Sequence, residues 1–186
     1  MEADWFMCSY RVARRPWVTR REWGAVEPPE QLRPLGRPLT HLWWSYTGSD
    51  KCRNHEQCEK YLRDYQTHYI KADYPDLPHS FLIGGSGKVY EGRGLMFEPD
   101  RSGFKKGYPM RCIDIAFIGE FPERVVPHIM MATAKRFAKF LVSRRIVPKR
   151  HFVISFMKKK HLERPENKIR PEPEECSMPD WCKSYD

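Results

Sequence analysis

Residues 81–94, which read FLIGGSGKVYEGRG, constrain the fold of this chain more than any other segment. An apolar run meets a glycine-rich turn, and β-forming residues resume at Val89 before a second glycine break. Two short β-type runs separated by such a turn predict an antiparallel hairpin. Glycine on both sides of Arg93 permits positive φ, so we expect one guanidinium to project from this loop.

Strand and helix patterns alternate along the rest of the chain. Runs rich in β-forming residues predict strands at 39–47, 113–119 and 151–155. Helical spacing of apolar residues predicts one helix over 54–70 with Asn54 as its N-cap, and a second from Pro127 to about Arg145. The order strand, helix, hairpin, strand, helix, strand predicts a single α/β domain, with a mixed central sheet flanked by helices. The buried face of the second helix should comprise Met130, Ala134, Phe137 and Leu141.

Length and proline placement set the expected domain organisation. A chain of 186 residues suits one domain, and its 16 prolines cluster near both ends. We expect an N-terminal arm over 1–16, the folded domain over 17–165, and a proline-rich tail over 166–186. Trp23 should be a buried anchor near the start of the domain.

The charge favours anionic partners without choosing among them. Lysine and arginine number 33 against 24 aspartate and glutamate, a formal net charge of +9. No nucleic-acid partner is expected, since the sequence has neither zinc-finger nor helix-turn-helix spacing nor an interleaved aromatic ladder. No apolar run is long enough to span a bilayer, and the acidic start lacks the pattern of a secretory signal. We therefore expect any targeting or membrane segment to lie outside this chain.

Six cysteines, at positions 8, 52, 58, 112, 176 and 182, include two pairs spaced six residues apart. Such spacing favours disulfides Cys52–Cys58 and Cys176–Cys182 over zinc sites, whose paired ligands usually stand two to four residues apart. Disulfides indicate an oxidising, extracellular compartment. A third bridge between Cys8 and Cys112 stays open.

The order and spacing of several motifs resemble those of the peptidoglycan recognition proteins, whose fold is shared with zinc-dependent N-acetylmuramoyl-L-alanine amidases. The resemblance runs from about Trp17 to Pro165. It rests on Arg21-Glu22-Trp23-Gly24-Ala25, Tyr46-Thr47-Gly48, the Cys52 to Cys58 loop, the segment at 81–94, and Ile115-Ala116-Phe117-Ile118-Gly119. It implies a recognition domain of innate immunity, similar to the non-catalytic regulatory and receptor members of insects.

Catalytic members of that family bind zinc through two histidines and a cysteine, which leaves one position open for water. The matching positions here are Ser45, Met157 and Pro165, and the assisting tyrosine falls at His79. A hydroxyl, a thioether and a residue without a donor atom make a poor zinc site. The resemblance therefore implies no catalytic residue, no metal and no cofactor. The alternatives are an amidase with a relocated metal site and a basic protein that binds anionic surfaces.

The family's ligand groove maps onto a set of candidate binding residues. Arg93 stands where members that recognise diaminopimelate-type peptidoglycan carry an arginine, whereas Asp73-Tyr74 replaces the usual specificity dipeptide. The chain is expected either to bind peptidoglycan or to modulate signalling through immune receptors or self-association, as a secreted protein or the ectodomain of a single-pass receptor. The candidate groove residues are Thr47, His68, Asp73, Tyr74, His79, Arg93, Leu95 and Arg101.

Overall fold

The computed structural model of the chain describes residues 15–100, 111–121 and 125–155. The expectations for Cys8, Arg101, Met157, Pro165, Cys176 and Cys182, and for the proline-rich tail, lie outside these ranges. Within them the elements follow in the order α1 (Arg20–Trp23), β1 (His41–Tyr46), α2 (His55–Lys71), β2 (Phe81–Ile83), β3 (Val89–Glu91), β4 (Cys112–Phe117), α3 (His128–Ser143) and β5 (Phe152–Ser155).

The strands form one mixed sheet in the order β3-β2-β4-β1-β5. Strand β1 is parallel to both β4 and β5, and β2 is parallel to β4. Strands β2 and β3 form the predicted antiparallel hairpin, with Leu82 opposite Tyr90. The predicted α/β class with a mixed, helix-flanked sheet is confirmed.

Each face of the sheet carries its own apolar cluster, because successive strand residues point to opposite sides. Phe81 and Ile83 pack with Phe137 and Leu141 of α3, whereas Leu82 packs with Leu62 of α2. The predicted buried face of α3 is confirmed, since Met130, Ala134, Phe137 and Leu141 are all buried. We refer below to the α2 side and the α3 side of the sheet.

The ends of the two long helices follow local sequence. Asn54 caps α2, because its side chain accepts a hydrogen bond from the Gln57 amide at 2.9 Å. Helix α3 begins after Pro127 and ends at Ser143, two residues before the predicted end, and Arg145 takes a positive φ of 55°. In the described part of the chain, no helix has both the length and the apolar character needed to cross a bilayer.

The segment before β1 covers the outer edge of the hairpin. Val18 and strand β3 exchange backbone hydrogen bonds of 2.8 Å, which satisfies part of the edge strand. Thr19 and Glu22 form a capping box at the start of α1. Trp23 is fully buried, as predicted, and its indole N–H donates to the Glu91 carbonyl at 2.8 Å.

Candidate functional site

The Cys52–Cys58 disulfide closes the loop that leads from β1 into α2, as predicted. Both sulfurs pack against Gly84, where a Cβ atom would collide with them. Glycine at this position therefore serves a close approach between the hairpin and the disulfide rather than the turn alone. Cys112, the first residue of β4, is buried.

A chain of side-chain hydrogen bonds lies on the α2 side of the sheet. The carboxylate of Asp114 on β4 accepts a 2.5 Å hydrogen bond from the Ser45 hydroxyl on β1. Its other oxygen lies 2.6 Å from Nδ1 of His79, just before β2. Asp114 is 3% exposed and His79 is 8% exposed. A buried carboxylate needs such partners, because desolvation without them is costly.

Tyr65 of α2 lies over this chain of bonds. Its ring stacks on the His79 imidazole at a centroid distance of 6.1 Å, and its hydroxyl lies 3.2 Å from His79 Nε2. Burial raises the pKa of the Tyr65 hydroxyl far above its ordinary value, so the phenol stays protonated. A neutral imidazole satisfies both bonds, since Nε2 accepts from Tyr65 while Nδ1–H donates to Asp114. We call Ser45, Tyr65, His79 and Asp114 the floor network.

A row of tyrosines runs from the floor network along one side of α2. Tyr65 stacks on Tyr61 at 5.2 Å and meets Tyr69 edge-on at 5.0 Å, and Tyr69 contacts Tyr74 at 5.3 Å. Spacing of four residues on a helix places these rings above one another. The predicted residue Thr47 joins the other end of the row through Ser49, whose hydroxyl lies 2.6 Å from Thr47 Oγ1 and 2.7 Å from the Tyr61 hydroxyl.

Arg93 departs from the sequence expectation. It does not project into solvent: the residue is 8% exposed, and its guanidinium donates to three backbone carbonyls. The acceptors are Leu77 at 2.8 Å from Nε, Glu98 at 3.0 Å from Nη1 and Asp76 at 3.3 Å from Nη2. Burial lowers the pKa of Arg93, and the nearby Asp100 carboxylate opposes that shift. The flanking glycines let the loop fold back onto the 76–79 segment, so the guanidinium turns inward.

A second buried polar cluster surrounds this arginine. Asp76 is fully buried, and Arg20 donates to one of its oxygens at 2.7 Å. The other oxygen accepts from the Leu77 amide at 2.8 Å and from Gln66 Nε2 at 2.9 Å. Arg20 also donates to the Gly92 carbonyl at 3.0 Å. We call Arg20, Gln66, Asp76 and Arg93 the junction, because it ties α1, α2 and the loop after β3 together.

The remaining predicted groove residues are separated in the structure. Asp73 and His68 are exposed, and Asp73 takes a positive φ of 62° at the turn after α2. Tyr74 and Arg93 share a cleft of about 510 Å³ with Asp100. Leu95 is not on the groove side: it packs against the cluster on the α3 side, because a short apolar side chain is more stable in that core than beside the cleft.

Sequence reasoning missed most members of both buried clusters. Asp114 carries the clearest signal, since a carboxylate within the apolar run Ile113 to Phe117 must be buried and therefore partnered. Tyr65, Gln66 and Asp76 carry no comparable signal. Among the described residues, no group of three or more His, Cys, Asp or Glu side chains is placed to hold a metal ion.

The mixed sheet with one long helix on each side is the architecture of the peptidoglycan-recognition, amidase-like domains. No family model matches the chain. A short peptidoglycan-recognition protein of Drosophila melanogaster is 28% identical to it over 148 residues, which cover 80% of each protein. The crystal structure of the Drosophila peptidoglycan recognition protein SD superposes with a TM-score of 0.69 and 28% identity, over 76% of this chain and 83% of that chain. The chain belongs to the peptidoglycan recognition protein family.

A third similar structure contains a ligand. It is peptidoglycan recognition protein-LE in complex with tracheal cytotoxin, a monomeric diaminopimelic acid-type peptidoglycan. It superposes with a TM-score of 0.69 over 75% of this chain and 81% of that chain. At 22% identity this likeness concerns the fold.

Proposed function

We propose that this chain is a non-catalytic member of its family that acts in innate immune sensing or its regulation. The floor network is the observation that carries the proposal. Ser45 stands at the first zinc-ligand position, and its hydroxyl donates to Asp114. His79 stands in place of the assisting tyrosine and is held between Asp114 and Tyr65. Groups that would face a metal-bound water are thus bonded to one another.

The donor set does not fit zinc in the family's way. A neutral hydroxyl at Ser45, a thioether at Met157 and the absent donor at Pro165 replace two imidazoles and a thiolate. The disulfide Cys52–Cys58 accords with an extracellular location, as a secreted protein or a receptor ectodomain.

We further propose that the chain acts mainly through protein partners, which are immune receptors or a second copy of itself. The guanidinium that would meet a stem-peptide carboxylate is bonded to three carbonyls of its own chain. The tyrosine row and Tyr65 cover the floor on the α2 side, where the family's ligand lies. A ligand carboxylate would have to displace internal bonds to reach Arg93, which costs binding energy.

Direct binding of diaminopimelate-type peptidoglycan is the second candidate. The cleft of about 510 Å³ that Arg93 shares with Tyr74 favours it, because a cation and an exposed aromatic ring lie together there. Against it, Glu30, Glu98 and Asp100 line the same cleft and would repel an acidic stem peptide.

Metal analysis and calorimetry separate these functions. Purified protein equilibrated with zinc and then dialysed should hold no stoichiometric zinc and should not cleave the muropeptide amide bond. Stoichiometric zinc with amide cleavage would overturn the non-catalytic proposal.

Titration with a diaminopimelate-type muropeptide should show no saturable heat if the chain acts through partners. Saturable binding that is lost in Tyr74→Ala and kept in Arg33→Ala would establish the second candidate instead. Both side chains line the cleft and are exposed, so neither change disturbs the core.

A further inference from the structure

The positive charge of this protein is concentrated on the α3 side of the sheet. Residues 125–155, which comprise α3, the following loop and β5, contain no aspartate or glutamate. The same segment contains seven cations: Lys135, Arg136, Lys139, Arg144, Arg145, Lys149 and Arg150. Because the net charge of the whole chain is +9, most of it arises from this single layer.

A cleft of about 530 Å³ lies on this side, between the 15–18 segment, the hairpin turn and α3. Arg15, Lys88 and Arg136 line it, and no acidic residue does. Its other lining includes the Thr133 hydroxyl and the buried rings of Trp17 and Phe137.

The line of cations continues past the cleft. The Phe140 ring lies 5.9 Å from Trp17, and the guanidinium of Arg144 lies 5.6 Å above the Phe140 ring. Arg136 and Arg144 are eight residues apart on the helix path, or about 12 Å at 1.5 Å per residue. We call Arg15, Lys88, Arg136 and Arg144, all of them exposed, the basic face.

These cations have little internal neutralisation. None of the ion pairs among residues 15–100, 111–121 and 125–155 includes a member of the basic face. Arg136 donates to Thr133 Oγ1 at 3.2 Å, and Arg15 has Glu22 and Glu91 as electrostatic neighbours. By contrast, the depression of about 930 Å³ at the start of α2 balances its three cations with Asp50, Asp64 and Glu120.

We propose that the basic face is a second binding site, on the side of the sheet opposite the floor network, for a linear phosphodiester polymer that carries no bases. Guanidinium groups bind phosphate oxygens in a two-pronged geometry, and a row of cations about 12 Å long matches consecutive phosphates of one chain. Trp17 and Phe137 are 8% and 2% exposed, so they offer no open ring face on which a base could stack. The apolar face of α3 is buried in the core and cannot enter a bilayer.

Binding of synthetic poly(glycerol phosphate) by the whole chain tests this site. Four contacts at about 0.7 counterions each predict that the logarithm of the binding constant falls with the logarithm of salt concentration at a slope of about −2.8. The double variant Lys88→Gln with Arg136→Gln should reduce the slope to about −1.4 and weaken binding about 25-fold in 0.1 M salt. Arg144→Gln alone should weaken it about fivefold under the same conditions.

The matched control is Arg53→Gln with Lys71→Gln, which removes two exposed cations at the ends of α2. This control should bind the polymer like the wild type. The proposal is overturned if the wild type does not bind the polymer, or if the control loses as much affinity as the double variant. It is also overturned if duplex DNA or phosphatidylglycerol vesicles bind as tightly as the polymer. Muropeptide titrations report on the other side of the sheet and are independent of these outcomes.

Discussion

The junction and the floor network are both buried polar clusters on the α2 side, yet they bond in different ways. The junction directs its donors at main-chain groups, and Arg93 alone bonds three carbonyls from separate parts of the loop. The floor network joins side chains to side chains on adjacent strands. A cluster that ties backbone segments together determines whether the chain folds, whereas a cluster of side chains can exchange its bonds locally.

The largest effect is expected for Asp76→Asn in the junction. The amide would place an NH₂ group where one of three converging donors now bonds, and the buried charge partner of Arg20 would be lost. We expect a loss of about 3 kcal/mol in the free energy of unfolding, measured by urea denaturation. Asp64→Asn, in the exposed pair with Lys60, should cost less than about 0.5 kcal/mol. Equal losses in the two variants would contradict the role of the junction.

Arg93→Lys should have the next largest effect. An ammonium group cannot reproduce the planar fork that meets three carbonyls, so buried acceptors would be left without donors. We expect destabilisation of about 2 kcal/mol. Arg33→Lys is the control, since Arg33 lines the same cleft but is exposed. If Arg93→Lys unfolds at the wild-type urea concentration, the guanidinium does not hold the loop.

Asp114→Asn makes the same chemical change in the floor network and should cost only about 1 kcal/mol. The asparagine oxygen can still accept from Ser45, and its NH₂ group can donate to His79 Nδ1 if the imidazole proton moves to Nε2. The ¹⁵N shifts of His79 should therefore report a change of tautomer. A cost as large as that of Asp76→Asn, or an unchanged tautomer, would remove the distinction between the two clusters.

Glu91→Gln should give the smallest effect, and one that depends on pH. Burial raises the pKa of Glu91, whose carboxylate accepts from the Arg20 amide at 3.3 Å beside the junction. A raised folded-state pKa means that ionisation destabilises the fold, so the wild type loses stability as pH rises from the ordinary glutamate pKa of about 4.3 through the raised value. The stability of E91Q relative to wild type should therefore grow between pH 4 and pH 7. Urea denaturation across that range that gives a constant difference would refute this.

Local patterns predicted the elements well. The hairpin, the Asn54 cap and the buried face of α3 each follow from residues within one or two turns of one another. The Cys52–Cys58 bridge follows from spacing, because a loop of this size leaves few alternatives. The candidate site was predicted less well. Thr47 and His79 were named, but their partners Tyr61, Tyr65 and Asp114 come from other elements.

The sequence by itself determined the strand and helix order, the helix caps and the excess of positive charge, because these depend on neighbouring residues or on composition alone. Only the tertiary structure decided that Arg93 turns inward, that Gly84 meets the disulfide, and that the cations of α3 join Arg15 and Lys88 around one cleft. Each of these depends on contacts between residues far apart in the chain. The path of the backbone between such residues fixes which donors and acceptors can meet, and no local pattern encodes that path.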